Sequence, residues 1–228
     1  MRDKLLYAAG AAATVILIAN LHKILLGIPD EMDQGAIYRI LYFHVPSWFT
    51  CFAAFFVAGL ASVMYSVKRD LRYDVLAVSA VEVGVAFTLV GLATGSIWAR
   101  IIWGIWWTWD PRLTWALITC VLYAGYLMMR QMIDDASARA RFAAVLGTFS
   151  FASVAITYKA IDWWRTQHPG PVLPIRAGGG KMDPEMWHAI LWNWTAFMLL
   201  ASVMVAVRIS QETRLREVEA LRRRAHAI

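Results

Sequence analysis

The sequence predicts an all-α integral membrane protein with six transmembrane helices and a tryptophan-rich interfacial segment on the outer side. Three observations carry that expectation. The 228 residues are 60% hydrophobic and only 17% charged, a balance outside the range of soluble domains. Six apolar stretches each approach the roughly 20 residues that a bilayer crossing requires. The basic residues also divide unevenly between the two sets of loops, the asymmetry that orients membrane proteins. The formal charge of +6 sits in those short loops and a tail, so the membrane explains it better than nucleic acid does. One membrane domain covers 1–228, with 98–115 as the tryptophan-rich segment and 208–228 as a basic tail.

Span 1, about 5–26, is long enough to cross and no clear small-residue cleavage site follows it, so it reads as an uncleaved anchor. Residues 27–45 form the first outer connection, where Ile37, Ile40 and Leu41 suggest a short amphipathic turn before His44. Pro46 should start span 2, running to about Val67, because proline is tolerated at the first helical position. After a charged turn at 68–72, span 3 covers about 75–97 and includes Glu82. A carboxylate at that depth costs a few kcal/mol, so Glu82 should face the bundle, where it can be held protonated. Span 4 covers about 113–132 and ends at Asp134, Asp135 and a turn carrying Arg139 and Arg141. Span 5 is about 142–161. An outer loop, 162–184, then holds Trp163, Trp164, His168 and a Pro/Gly-rich run. Span 6 is about 186–207, and the arginine-rich tail after it should be helical.

Fourteen of the 22 lysines and arginines fall on the side of the two termini, which places both termini in the cytoplasm. The other eight are Lys23, Arg39, Arg100, Arg112, Lys159, Arg165, Arg176 and Lys181. His44, His168 and the tryptophan segment therefore share the outer face.

That segment, WARIIWGIWWTWDPRLTW, holds Trp98, Trp103, Trp106, Trp107, Trp109 and Trp115. An interfacial belt explains a ring or two per span end, not six in one connection. Trp103, Trp106 and Trp107 stand at i, i+3 and i+4, so a short interfacial helix would line them along one face as a flat shelf. Asp110 followed by Pro111 reads as an N-cap with proline at N1, opening the next helix. A planar aromatic surface beside two histidines is what a haem needs: indole faces for the porphyrin, imidazoles for the two axial positions, and cations for the propionates. His44 and His168 are the candidate iron ligands, and Arg112 and Arg39 the candidate propionate partners. His22, His188 and His226 read as ordinary polar residues. Cys51 and Cys120 occur with no CxxC or CxxCH pattern, which gives no sequence case for a redox dithiol or covalent c-type haem site and leaves a disulfide undecided. The Gly-rich run at 177–182 lacks the spacing of a P-loop, so no ATP site is expected.

At these residues the chain resembles the CcmC family of haem-handling proteins in cytochrome c maturation. The resemblance rests on TGSIW at 94–98, WGIWWTWDPRLT at 103–114, FHVP at 43–46 and WWRTQH at 163–168, and it spans nearly the whole chain. It implies haem b held non-covalently by the His44–His168 pair at the periplasmic surface of the bacterial inner membrane. Trp98, Trp103, Trp106, Trp107, Trp109, Asp110, Arg112 and Arg39 would complete the site. It further implies delivery to the haem chaperone CcmE, an ABC-type pair CcmA and CcmB, and the small membrane protein CcmD, with no enzymatic role for this chain. Two other readings compete. A membrane component of the other cytochrome c synthesis route would carry histidines within its spans, whereas His22 and His188 lie only at span ends. A small-solute transporter or permease subunit would use Glu82 as its intramembrane site.

Overall fold

The computed structural model describes residues 2–170 and 182–225. Among these, six helices are long and apolar enough to cross a membrane. The only extended pairing among the described residues is an isolated bridge between Glu31 and Gly35. In chain order the helices are α1 (Arg2–His22), α2 (Leu41–Lys68), α3 (Leu71–Ile102), α4 (Pro111–Gln131), α5 (Ala136–Trp163) and α6 (Pro184–Ala225). The all-α, six-span expectation is met. α2 is the central helix, packed along α3 and also against α5 and α6, while α1 leans on α6 and α4 on α5.

Three aspartates start three helices. Asp70 accepts the backbone N–H of Arg72, Asp110 that of Arg112, and Asp135 that of Ala138, each satisfying a helix-end donor. The reading of Asp110–Pro111 as a cap with proline at N1 is borne out. Between α2 and α4, Phe55 and Tyr123 stack face to face with centroids 3.8 Å apart. Cys51 and Cys120 are both buried free thiols, which answers the disulfide question.

Several boundaries differ from the sequence expectation. α2 begins at Leu41, after a 3-10 turn at Ala36–Ile40, so Pro46 lies inside the helix and His44 is helical rather than in a loop. Proline has no N–H to give the carbonyl four residues earlier. Here the buried Asn193 side chain supplies the missing donor, bonding the Tyr42 carbonyl at 2.7 Å. α5 starts at Ala136, which puts Arg139 and Arg141 in its first turns rather than in a connection.

The tail is not a separate element. α6 runs unbroken from Pro184 through Arg208 to Ala225, and charges clasp it to the bundle. The buried Asp74 of α3 takes two bonds from Arg130 of α4, at 2.6 and 2.9 Å, and one from Arg216 of α6 at 2.6 Å. Glu212 bonds Arg216, and Glu219 faces Arg139 at 3.5 Å. Glu82 is likewise engaged by α6, accepting both Nε and Nη2 of Arg208. It forms an ion pair with Arg208. His22 and His188 are exposed at helix ends. Arg176, residues 177–181 of the Gly-rich run and His226 lie outside the described residues.

Candidate functional site

At the end of the bundle opposite the termini, the ends of α2, α3, α4 and α5 surround a cavity. It is lined by His44, Trp98, Trp103, Trp107, Arg112 and His168 among others. Six of the ten residues singled out from sequence thus meet in one place, although they come from five separate stretches of chain.

Each imidazole is oriented by its own partner. Nδ1 of His44 lies 3.0 Å from the Thr94 hydroxyl. That hydroxyl has one proton, which goes to the Val90 carbonyl at 2.7 Å, so toward His44 it accepts. Nδ1 of His44 therefore carries the proton, and in the neutral ring Nε2 keeps its lone pair. α3 approaches the ring closely, since a Cβ on Gly95 would stand 2.8 Å from His44 Cε1. Trp98 meets the ring edge-on at 5.9 Å, and its own indole N–H donates to Gln34 at 2.8 Å. His168 repeats the pattern. Its Nδ1 is 2.8 Å from the Pro169 carbonyl, which can only accept, so Nε2 is again unprotonated. Burial first, and the nearby Arg112 charge second, lower its pKa from 6.5 to about 4, so it is neutral at ordinary pH.

The loop bearing His168 is fastened to the start of α4. Asp110 accepts the Thr166 hydroxyl at 2.7 Å and the Gln167 N–H at 2.7 Å, beyond its capping bond to Arg112. Thr166 in turn accepts the His168 N–H at 3.0 Å. Burial pushes the Asp110 carboxyl up, but the Thr166, Gln167 and Arg112 bonds outweigh it and hold the group below the usual carboxylate range. Asp110 does not line the cavity; it sets where His168 stands. Arg112 does line it, and among the described residues its guanidinium makes only two long bonds, both 3.3 Å, to the Thr157 and Tyr158 carbonyls.

The expected helical shelf does not form. α3 ends at Ile102, and Gly104 at φ +76° turns the chain away. Ser96 then holds the Trp106 carbonyl at 2.8 Å and Arg100 the Gly104 carbonyl, so 103–107 is an irregular loop. Helical spacing therefore misplaces one ring of its three, Trp106. Trp106 and Trp109 face outward, 58% and 76% exposed, while Trp103 and Trp107 turn into the cavity wall. The Trp107 indole N–H is buried and finds no acceptor among the described residues. Arg39 is also elsewhere. It donates to the Ile24 carbonyl at 2.8 Å and the Ile28 carbonyl at 3.1 Å, and it pairs with Asp30. Those bonds tie down the π-helical turn Lys23–Gly27 after α1 and take up its guanidinium.

Sequence reasoning missed Thr94, Thr166, Gln34 and Asn193. Only Asn193 carried a signal, as an amide within an apolar run.

The donor set suits haem. Two neutral imidazoles with free Nε2 atoms, an aromatic wall and one underused guanidinium are its complement. A bare-metal site is not suggested, because no group of three His, Cys, Asp or Glu side chains gathers among the described residues.

A family model described as Heme exporter protein C matches residues 1–224. Curated relatives carry the same name. One from Bradyrhizobium diazoefficiens is 37% identical over 92% of this chain and 80% of its own length. One from Escherichia coli is 32% identical over 79% of this chain and 72% of its own. One from Rhodobacter capsulatus is 29% identical over 94% and 88%.

Proposed function

Because the chain belongs to the heme exporter protein C family, we propose that its outer cavity holds haem b non-covalently between His44 and His168. It presents that haem at the periplasmic surface for transfer to a haem chaperone. The chain is a haem-handling, multi-pass membrane protein. One observation carries the finer reading. Two histidines 124 positions apart line one cavity, and each has its Nδ1 proton committed to a protein acceptor and its Nε2 without a partner among the described residues.

Binding needs little from either ring beyond that lone pair, since both are already neutral donors in a fixed tautomer. Trp98, Trp103 and Trp107 supply apolar wall, and Arg112 supplies a cation for a propionate. Trp106 and Trp109, being outward, suit contact with the receiving protein better than contact with the porphyrin. Asp110 acts on His168 and Arg39 on the α1 turn, so neither is assigned to haem. The family suggests CcmE as receiver and CcmA, CcmB and CcmD as companions. It suggests both termini in the cytoplasm, with the cavity in the periplasm of the inner membrane, consistent with the basic-residue asymmetry. Glu82, bound by Arg208, offers no open site of the kind a solute carrier would use.

The test is spectroscopic. The purified protein should show a Soret band and a six-coordinate, low-spin iron. His44→Gly or His168→Gly should each lower haem content, with added imidazole restoring part of it, and the double variant should bind no haem tightly. A double variant with an unaltered six-coordinate spectrum would place the ligands elsewhere.

A further inference from the structure

Behind the His44 turn stands a polar side chain that has no part in the cavity, Asn193. It is fully buried in α6, at 0% exposure, within an apolar stretch where an amide is costly unless every bond is made. Its Nδ2 donates to the Tyr42 carbonyl at 2.7 Å and its Oδ1 accepts from Asn20 of α1 at 2.7 Å. Asn20 spends its second proton on the Ala189 carbonyl at 2.8 Å. The Tyr42 carbonyl is the one that Pro46 leaves without its ordinary helical donor, and it lies two residues before His44.

We infer that Asn193 is a positioning residue for haem ligation: its amide replaces the N–H that Pro46 lacks and so fixes the backbone turn that aims His44. This rests on His44 being an iron ligand. Without the amide, a buried 1%-exposed Tyr42 would keep an unpaired carbonyl, or the turn would shift to pair it, and His44 would shift too. Thr94 and Gly95 hold the ring only where the backbone already delivers it. Asn193 thus acts from behind the helix that carries the ligand, through backbone rather than through the imidazole.

Pro46 makes the idea separable from simple packing. Asn193→Leu keeps the branching and heavy-atom count and removes the donor to Tyr42 together with the acceptor used by Asn20. It should weaken haem binding about tenfold, the scale of one unpaired buried acceptor, and convert six-coordinate iron to a five-coordinate fraction. Pro46→Ala restores the backbone N–H, so the Asn193→Leu/Pro46→Ala double variant should recover both affinity and spectrum. Asn20→Ala, which leaves the Tyr42 bond in place, should keep the six-coordinate spectrum. Equal loss in the single and double Asn193 variants would make Asn193 a packing residue and overturn the inference, as would an unchanged spectrum in Asn193→Leu. If Asn193→Leu fails to accumulate, the amount of folded double variant reads the same comparison: recovery supports the inference and no recovery overturns it. His44→Gly in the same preparations keeps the two ideas apart, since a normal spectrum there would fault the ligand assignment instead.

Discussion

Replacing Asp110 by Asn should undock the loop that carries His168, by an amount the geometry sets. One carboxylate oxygen serves the Thr166 hydroxyl and the Arg112 N–H, and the other serves the Gln167 N–H at 2.7 Å. An amide keeps the first oxygen and turns the second into a donor facing a donor. Leaving the Gln167 N–H unpaired costs about 2 kcal/mol, a shift of roughly 30-fold in the docked fraction of the loop. Asp110→Ala loses the helix cap as well, worth about 1 kcal/mol more. Hydrogen exchange at the Gln167 amide reads this without any haem present, and should accelerate by about the same factor of 30 in Asp110→Asn. With haem, the iron should become five-coordinate while His44 stays bound. Acid should mimic the variant: a carboxyl whose folded pKa is depressed contributes above its ordinary range, and that contribution disappears as pH falls through the lowered value. Unchanged Gln167 exchange would refute the reasoning, and so would loss of His44 ligation together with His168.

Arg112→Ala should reduce haem retention, and Arg112→Lys should restore only part of it, because a point charge cannot make the two-pronged contact of a guanidinium; haem content per protein checks both. For His168, the lowered pKa of about 4 without iron means that protons begin to compete for Nε2 only there, so its ligation should survive acidification through pH 6 and fail only below about pH 4. The same sign applies without haem. A histidine titrating lower when folded favours the ordered loop fully above 6.5 and loses that advantage as pH falls from there to about 4, which loop exchange rates measured across that range should follow.

Much of this architecture was legible in the chain because membrane spans announce themselves by length and composition. The Asp110–Pro111 start of α4 was legible too, since both residues act on their own neighbours. What stayed hidden depended on partners far away in sequence. Pro46 looks like a helix start until Asn193, 147 positions later, provides the donor that lets the helix begin earlier. Arg39 looks like a free cation until the carbonyls of the α1 turn claim it. Trp103, Trp106 and Trp107 have helical spacing, yet spacing describes a face only where a helix exists, and Gly104 ends it. The histidine pair was found by residue type and side of the membrane. Its tautomers needed Thr94 and Pro169 in place.

The length of α6 has a mechanical consequence. At 42 residues it measures about 63 Å, roughly twice the hydrocarbon thickness of a bilayer of about 30 Å. Its two ends therefore stand in different media yet belong to one unbroken helical rod. Asn193 lies about 17 Å from the midpoint of that rod, so a tilt of about 3° would carry it by nearly 1 Å. A hydrogen bond of 2.7 Å does not survive such a displacement. The Asp74–Arg130–Arg216 clasp at the far end limits that tilt, so a force applied to the clasp is felt two residues from His44.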